Sequence, residues 1–419
     1  MLRKITRIKK RFVERKGIYV FSSQILLKIA SFVISFLAIR FIPKDIFGSF
    51  VYANSIITLL IPLIGLGAHQ SLLRFGALLK SPRLKYRLFI YSLFRGVFAS
   101  IFLTCLVLCF SDFLTINMPS SKLFLQLLSF SLISICAMEL VKNYVRVQFL
   151  NKLYAQIQNL YALFFIITGI ILIYFFHAQG YIISLVITPL FIFSIYFFKL
   201  NFKLKTKSIE INKKDFWSYG FFVGIGAVAS QLLFSTDILF IGNMIENSEK
   251  HIAGYKVASL IPMSLLILPN SFLTTDFVHI SKMYNKKKNI VNYIKDYITI
   301  FSLCSVFLFG IIYLFPDLIL NFLFGNEYKE YANIFIIFGI SMLGSILFRM
   351  PFINILSALG KSSWNAYNAF LMLGLNIILN YFLISKYNII GAAIATAVTL
   401  WVSGLLAFIF VLYYLKEIK

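Results

Sequence analysis

Apolar stretches of roughly 20 residues, enough for a helix rising 1.5 Å per residue to cross about 30 Å of hydrocarbon, recur along almost the whole of this chain. Of its 419 residues 60% are hydrophobic and 13% charged, and Phe alone occurs 47 times. A water-soluble domain of this size could not cover such a surface with polar groups, so the solvent is lipid. The expected fold class is an all-α membrane protein of about twelve transmembrane helices. Reading with that ruler places the first six spans at 17–42, 47–72, 88–110, 123–145, 155–176 and 181–198. The second six fall at 216–241, 255–278, 293–315, 331–356, 364–385 and 389–414.

The chain carries 40 Lys and Arg against 15 Asp and Glu, a net charge of +25. In a soluble protein that excess would suggest nucleic acid as the partner. Here it alternates with the spans. Eight cations lie between Arg3 and Lys16, and more follow in every second loop, notably at Lys80–Arg87, Lys199–Lys214 and Lys282–Lys288. By this reading thirty-one cations share one side and seven, among them Arg40, Lys44 and Lys256, share the other. The positive-inside rule then puts both termini in the cytoplasm. Anionic membrane lipids are the expected electrostatic partners, and nucleic acid is not. The basic N-terminus has the look of a secretory signal, but the apolar stretch behind it is too long and lacks a small-residue cleavage site. It is expected to stay as a cytoplasmic tail on a retained first helix.

The most basic internal loop divides the spans into six and six. Residues 1–205 are expected to form an N-terminal six-helix lobe with its basic tail, and residues 206–419 a C-terminal lobe. An even number of spans gives both lobes the same orientation, as a parallel duplication would. Phe47-Gly48-Ser49 and Ala253-Gly254-Tyr255, each opening a span with an internal proline, support that faintly.

Nothing points to catalysis. Outer loops are short, and there is no phosphate-cradling Gly-rich loop, no Ser/His/Asp arrangement and no metal-ligand spacing. Cys105, Cys109, Cys136 and Cys304 lie in apolar runs and read as small hydrophobes. No enzyme activity, cofactor, metal or disulfide is expected.

Ionisable groups within spans cost about 2.5–3.5 kcal/mol each at a helix centre and therefore tend to face a cavity or a partner. Lys28 lies roughly 16 Å into the first span at 1.5 Å per residue. Gln24, Lys28, Ser31 and Ser35 share its face, which suits a water-filled lumen. A second stripe in span 2 holds Asn54, Thr58, Pro62, Gly65 and His69, with a kink expected at Pro62. Arg40 and Arg95 add cations in the same half. These residues (Lys28, Arg40, Arg95, Gln24, Ser31, Asn54 and His69) are the candidates for substrate binding. Arg74 reads as snorkelling, and Glu139 as an ion pair with Lys142. Asp237 and Glu139 are the candidates for ion coupling. Gly220, Gly224, Ala227 and Gln231 form a small-residue stripe suited to close packing, and Asn368, Asn376 and Asn380 read as interhelical bonds.

Several motifs carry a family resemblance. They are Phe47-Gly48, Leu63-Ile64-Gly65-Leu66-Gly67, Phe234-Ser235-Thr236-Asp237 with Ile241-Gly242, and Ala253-Gly254-Tyr255. Further along come Phe324-Gly325-Asn326-Glu327-Tyr328, Leu359-Gly360-Lys361, Asn376 to Asn380, Tyr387, and Gly391-Ala392-Ala393-Ile394-Ala395-Thr396. In order and spacing these resemble polysaccharide flippases of the Wzx type, within the superfamily that includes the multidrug and toxic-compound extrusion transporters. The resemblance implies two six-helix lobes with pseudo-two-fold symmetry around a central cavity. It implies an undecaprenyl-pyrophosphate-linked glycan, the repeat unit of O-antigen or capsule, as cargo in the bacterial cytoplasmic membrane. It also implies polysaccharide polymerase and chain-length proteins as partners. The lipid II flippases are similar but typically have more spans. A cation-coupled multidrug exporter of the same fold, which needs a cavity richer in acids, and a non-transporting membrane scaffold are the other readings.

Overall fold

The structure, a computed structural model, describes residues 17–200, 212–281, 283 and 286–417. The basic tail, the expected lobe boundary at 205/206, and Lys203, Lys205, Lys207, Lys282 and Lys419 lie outside the described residues. Every regular element among the described residues is helical. Hydrocarbon offers no partners to backbone N–H and C=O groups, so a spanning segment must satisfy them itself. Nine described segments are long and apolar enough to cross a membrane.

The chain forms two compact units, Met1–Val228 and Ala229–Lys419. In the first, α1 (Gly17–Phe41) precedes α2 (Lys44–Leu60), α3 (Ala68–Leu78) and α4 (Pro82–Cys109). The short α5 (Ser111–Leu114), α6 (Lys122–Ser129), α7 (Ser131–Val147) and the long α8 (Asn151–Lys199) follow. Helix α9 (Lys213–Met244) begins in the first unit and ends in the second. Then come α10 (Glu249–Leu265), α11 (Ile267–Ser281), α12 (Lys287–Leu314) and the short α13 (Pro316–Phe324). Helices α14 (Ala332–Gly344), α15 (Met350–Ala358) and α16 (Ser362–Glu417) complete the second unit.

The two halves repeat each other element by element. Helices α2 and α10 have 17 residues each, and α4 and α12 have 28 each. A short helix and a tight 3-10 turn (119–121 and 326–331) follow α4 and α12 alike. Each half closes on a helix too long for one crossing. At 1.5 Å per residue α8 would stretch about 74 Å. Instead it folds back on itself, so that the rings of Phe164 and Phe191 stack with centroids 4.1 Å apart. In α16, Asn368 Nδ2 likewise donates to the Ser403 carbonyl at 2.9 Å. The spans expected at 155–176 and 181–198, and at 364–385 and 389–414, are the arms of these hairpins. No loop separates the arms, because one residue makes each reversal: His177 (φ 47°, ψ −124°) in α8 and Asn388 (φ 50°, ψ −139°) in α16.

Three residues past each reversal stands a glycine. A Cβ on Gly180 would lie 1.9 Å from the Leu172 carbonyl oxygen, and one on Gly391 2.1 Å from that of Leu383. The same separation of 211 residues relates His177 to Asn388, Gly180 to Gly391 and Leu172 to Leu383. Each hairpin therefore closes backbone on backbone, at a distance no side chain permits.

Span 2 departs from expectation. Pro62 does not merely kink it. Ile64 leaves the helical region, and Gly65, Leu66 and Gly67 take φ of 57°, 50° and 73°, dividing the span into α2 and α3. The freed Gly65 N–H donates to Ser100 Oγ at 2.9 Å. Gly67 meets the backbone of Gly220 on α9, where its own Cβ would lie 2.1 Å from the Gly220 oxygen. Ser71 Oγ, one turn on, donates to the Phe216 carbonyl at 2.6 Å.

Gly180→Ala and Gly391→Ala should each destabilise the protein by about 1–3 kcal/mol, the usual cost of overpacking. Gly310→Ala and Gly374→Ala, where a Cβ meets nothing within 4 Å, should leave it unchanged or slightly more stable. Thermal unfolding of the four variants in detergent compares them directly, and equal Tm values for all four would contradict the repeated hairpin closure.

Candidate functional site

Asp237 lies in the second unit on α9, at 4% exposure. A lone carboxylate in such a place is costly, and here four neutral donors surround it. Tyr255 of α10 donates its hydroxyl at 2.5 Å. From α16, Asn380 Nδ2 donates at 2.8 Å, Asn376 Nδ2 reaches to 3.5 Å, and the Thr396 hydroxyl donates to the same carboxyl oxygen as Tyr255. Asn380 Nδ2 also bridges to Asn376 Oδ1 at 3.1 Å, while Asn380 Oδ1 is buried without a hydrogen bond. No cationic side chain pairs with Asp237 among the described residues. The Asn and Asp positions were legible in the sequence. Tyr255 and Thr396 were not singled out, although the quoted motifs held them. Phe234–Asp237, Ala253–Tyr255, Asn376–Asn380 and Gly391–Thr396, distant in sequence, meet at one carboxylate.

In the first unit Glu139 is an ion pair. Lys142 Nζ lies 2.5 Å from its Oε1, one turn along α7. The polar chain continues next to it: Gln158 Nε2 donates to Tyr154 Oη at 3.0 Å, and Ser23 Oγ of α1 donates to Gln158 Oε1 at 2.7 Å. Arg146 stacks over the Tyr154 ring. His69 is half-buried on α3, with Nδ1 lacking a hydrogen-bond partner. Asn54 is half-buried on α2, where its carbonyl accepts from Thr58 Oγ1 at 2.6 Å.

The α1 candidates stay together. Gln24, Lys28 and Ser31 are all exposed on one face, and Ser35 Oγ lies 3.5 Å from Tyr181 Oη at its end. Lys28 has no ion pair among the described residues. Arg40, also exposed, sits in the last turn of α1 with an interaction partner of its own. Arg95 is exposed on α4, a different helix and a different setting. Its exposed neighbours are Phe94, Phe98 and Phe102, whereas Lys28 has exposed Gln24 and Ser31 on its face and the exposed Ile29 beside it. Arg74 lies 4.2 Å over the Tyr219 ring, which agrees with a side chain held at a surface rather than on a ligand.

Two cations counted in the charge balance between the two sides lie inside helices, within the expected spans 255–278 and 331–356. Helix α10 starts at Glu249, six residues before the expected span, which puts Lys256 two turns in. It is half-buried and has no acid opposite it among the described residues. Arg349 ends a π-helical segment, Ser345–Arg349, within the span expected at 331–356. No group of three or more His, Cys, Asp or Glu side chains capable of holding a metal occurs among the described residues.

The model of the family described as polysaccharide biosynthesis protein matches residues 13–283, and that of the MatE family matches residues 223–382. A Haloferax volcanii protein, named as a probable low-salt glycan biosynthesis flippase, is 26% identical over 211 residues, 50% of this chain and 44% of its own length. A Shigella flexneri protein, named provisionally as an O-antigen transporter, is 26% identical over 210 residues, 48% of this chain and 49% of its own. The match spans about half the length of each of these relatives. Among solved structures, the lipid II flippase MurJ in an inward closed conformation has a TM-score of 0.73 at 18% identity, covering 93% of this chain and 87% of that one. An inward-facing multidrug resistance MATE transporter of the MOP superfamily has a TM-score of 0.70 at 15% identity, covering 94% and 95%. At such identities the likeness is one of fold. The fold is thus that of the MOP transporters, and with its family's model matched over more than half of its length, the chain belongs to the polysaccharide biosynthesis protein family.

Proposed function

We propose that this chain is a flippase that carries an undecaprenyl-pyrophosphate-linked oligosaccharide, a repeat unit of O-antigen or capsule, across the bacterial cytoplasmic membrane by alternating access. Its two six-helix lobes give twelve spans, and both termini are cytoplasmic. The observation that carries this reading is the exposed stripe Gln24–Lys28–Ser31 on α1. Exposed polar groups inside a span need water or a polar cargo, and a lysine without an acidic partner favours an anion. A pyrophosphate-sugar head group cannot shed its hydration into hydrocarbon; hydroxyls, amides and an ammonium replace that water while the prenyl tail stays in lipid. Lys256 adds a second such cation in the second unit. The names of the Haloferax and Shigella relatives support a glycan-bearing cargo, and polysaccharide polymerase and chain-length proteins are the partners such cargo implies.

Asp237 is the coupling site of this proposal. Its carboxylate is a hard oxygen acceptor suited to a proton, or to a sodium ion once the Asn376 and Asn380 amides, which now turn their nitrogens to it, present their oxygens instead. Glu139 already holds Lys142, and a proton or sodium ion would have to displace that ammonium. The multidrug-exporter reading fares worse. Asp237 is buried and saturated by donors, and so is not an exposed acid awaiting a cationic drug.

In cells whose surface polysaccharide depends on this protein, Lys28→Ala should lower transport about tenfold, equivalent to about 1.4 kcal/mol. Full surface polysaccharide at normal expression would sink the assignment of Lys28. In proteoliposomes under an imposed proton or sodium gradient, Asp237→Asn should abolish gradient-driven accumulation while downhill flipping continues. Wild-type transport that survives collapse of both gradients would remove Asp237 from the mechanism.

A further inference from the structure

Arg95 stands apart from every other charged group of the first unit's spans. Glu139 has Lys142, and Lys28 has a polar stripe. Arg95 has neither hydrogen bond nor ion pair among the described residues, and it lies beside Phe94, Phe98 and Phe102, which are 55%, 70% and 62% exposed. A run of exposed Phe side chains is stable against acyl chains and not against water, so this face of α4 meets lipid.

The turn below Arg95 offers a marker of its depth. Tyr91, four residues earlier on the same face, accepts a hydrogen bond from Trp217 Nε1 of α9 at 2.9 Å. Tyr and Trp hydrogen-bonded in this way, near the start of two helices that both leave the basic side, are the aromatic belt of a membrane interface. Because the Tyr91 oxygen accepts from Trp217, its own O–H remains to donate. Arg95 lies one turn deeper, about 6 Å along a helix, a distance an arginine side chain can span toward the same level. Arg83 and Arg87 lie further toward the basic end of α4. No described acid of this unit pairs with Arg95: Glu139 is paired with Lys142, Asp45 and Asp112 lie in the first turns of other helices, and Asp215 is bonded to Asn212 at 2.7 Å.

We propose that Arg95 and Tyr91 form a binding site for the phosphodiester of an anionic phospholipid in the cytoplasmic leaflet. The guanidinium gives a forked pair of N–H donors and the phenol a third, which matches the oxygens of one phosphate. One guanidinium balances a singly charged diester. The pyrophosphate of the cargo would need more cations than this face provides, so the occupant is a resident lipid. The site rests on the membrane orientation proposed above but not on the cargo.

The test is lipid binding to the full-length protein in detergent, followed by native mass spectrometry after delipidation. Phosphatidylglycerol and phosphatidylcholine are titrated separately, so the outcome is independent of transport. Wild type should retain phosphatidylglycerol in preference to phosphatidylcholine. Arg95→Gln should weaken its tightest binding about fivefold, the worth of one Arg near an anionic surface. Tyr91→Phe should weaken it less, and Arg83→Gln hardly at all. Tyr91→Phe carries the same test if Arg95→Gln does not fold. Unchanged phosphatidylglycerol binding in the Arg95 and Tyr91 variants, or equal retention of both lipids by wild type, overturns the site. So does Arg95-dependent displacement of phosphatidylglycerol by undecaprenyl pyrophosphate, which would give the site to the cargo.

Discussion

A backbone N–H or C=O left without a partner in hydrocarbon costs several kcal/mol, and that penalty decides where these helices can be irregular. Where α2 gives way to α3, the Gly65 N–H is taken by Ser100 Oγ. Where the chain widens into the π-helical segment, Tyr297 Oη donates to the Ile346 carbonyl at 3.1 Å. At the end of α7, Lys85 Nζ donates to the Val147 carbonyl at 2.8 Å. Each of these three places is met by a side chain from another helix. Breaking a span is therefore a tertiary event, because the group that permits it lies tens of residues away. The break near Gly65 reshapes a polar stripe that a continuous helix would have carried straight through the bilayer.

Charge obeys the same economy in several forms. Glu139 and Lys142 neutralise each other within one turn. Asp237 gathers neutral donors from two other helices. Lys28 shares its exposed face with polar groups, and Arg95 lies among Phe rings at the level of the aromatic belt. Insertion cost alone treats all of these as equally unfavourable. Their surroundings separate them: Glu139 is a structural pair, while Asp237 is the proposed coupling carboxylate, Lys28 the proposed cation for cargo and Arg95 the proposed lipid contact.

The sequence made the helices legible because hydropathy and length act locally, and the expected spans fall on observed helices or hairpin arms. The Glu139–Lys142 pair was legible for the same reason, since both residues lie on one helix a turn apart. The break in span 2 was not. Pro62 advertised a kink, whereas the left-handed residues Gly65 to Gly67 depend on Ser100 and on the Gly220 backbone, and neither is local. The start of α10 was not legible, because hydropathy fades where a helix begins, so Lys256 stood at the edge of its expected span rather than two turns in. Tyr255 and Thr396 were visible as motif residues, but their convergence on Asp237 needed α10 and α16 to be brought together.

The repeated architecture makes the remaining asymmetry informative. His177 with Gly180 and Asn388 with Gly391 close two hairpins by the same backbone contact, so the halves share a plan down to single carbonyl oxygens. Their charges do not match. The first half opens on α1 with an exposed lysine, while α9, in its Ala229–Met244 part, contributes a buried acid to the second. A transporter that moved one solute by equivalent contacts in both halves would have no need of that difference. Under the proposed function the difference has a cause: Lys28, joined by the half-buried Lys256, meets an anionic cargo, while the second half seals its carboxylate among neutral donors. An acid beside the cargo would repel the pyrophosphate. An acid sealed behind Tyr255, Asn380 and Thr396 can bind a small cation without meeting it.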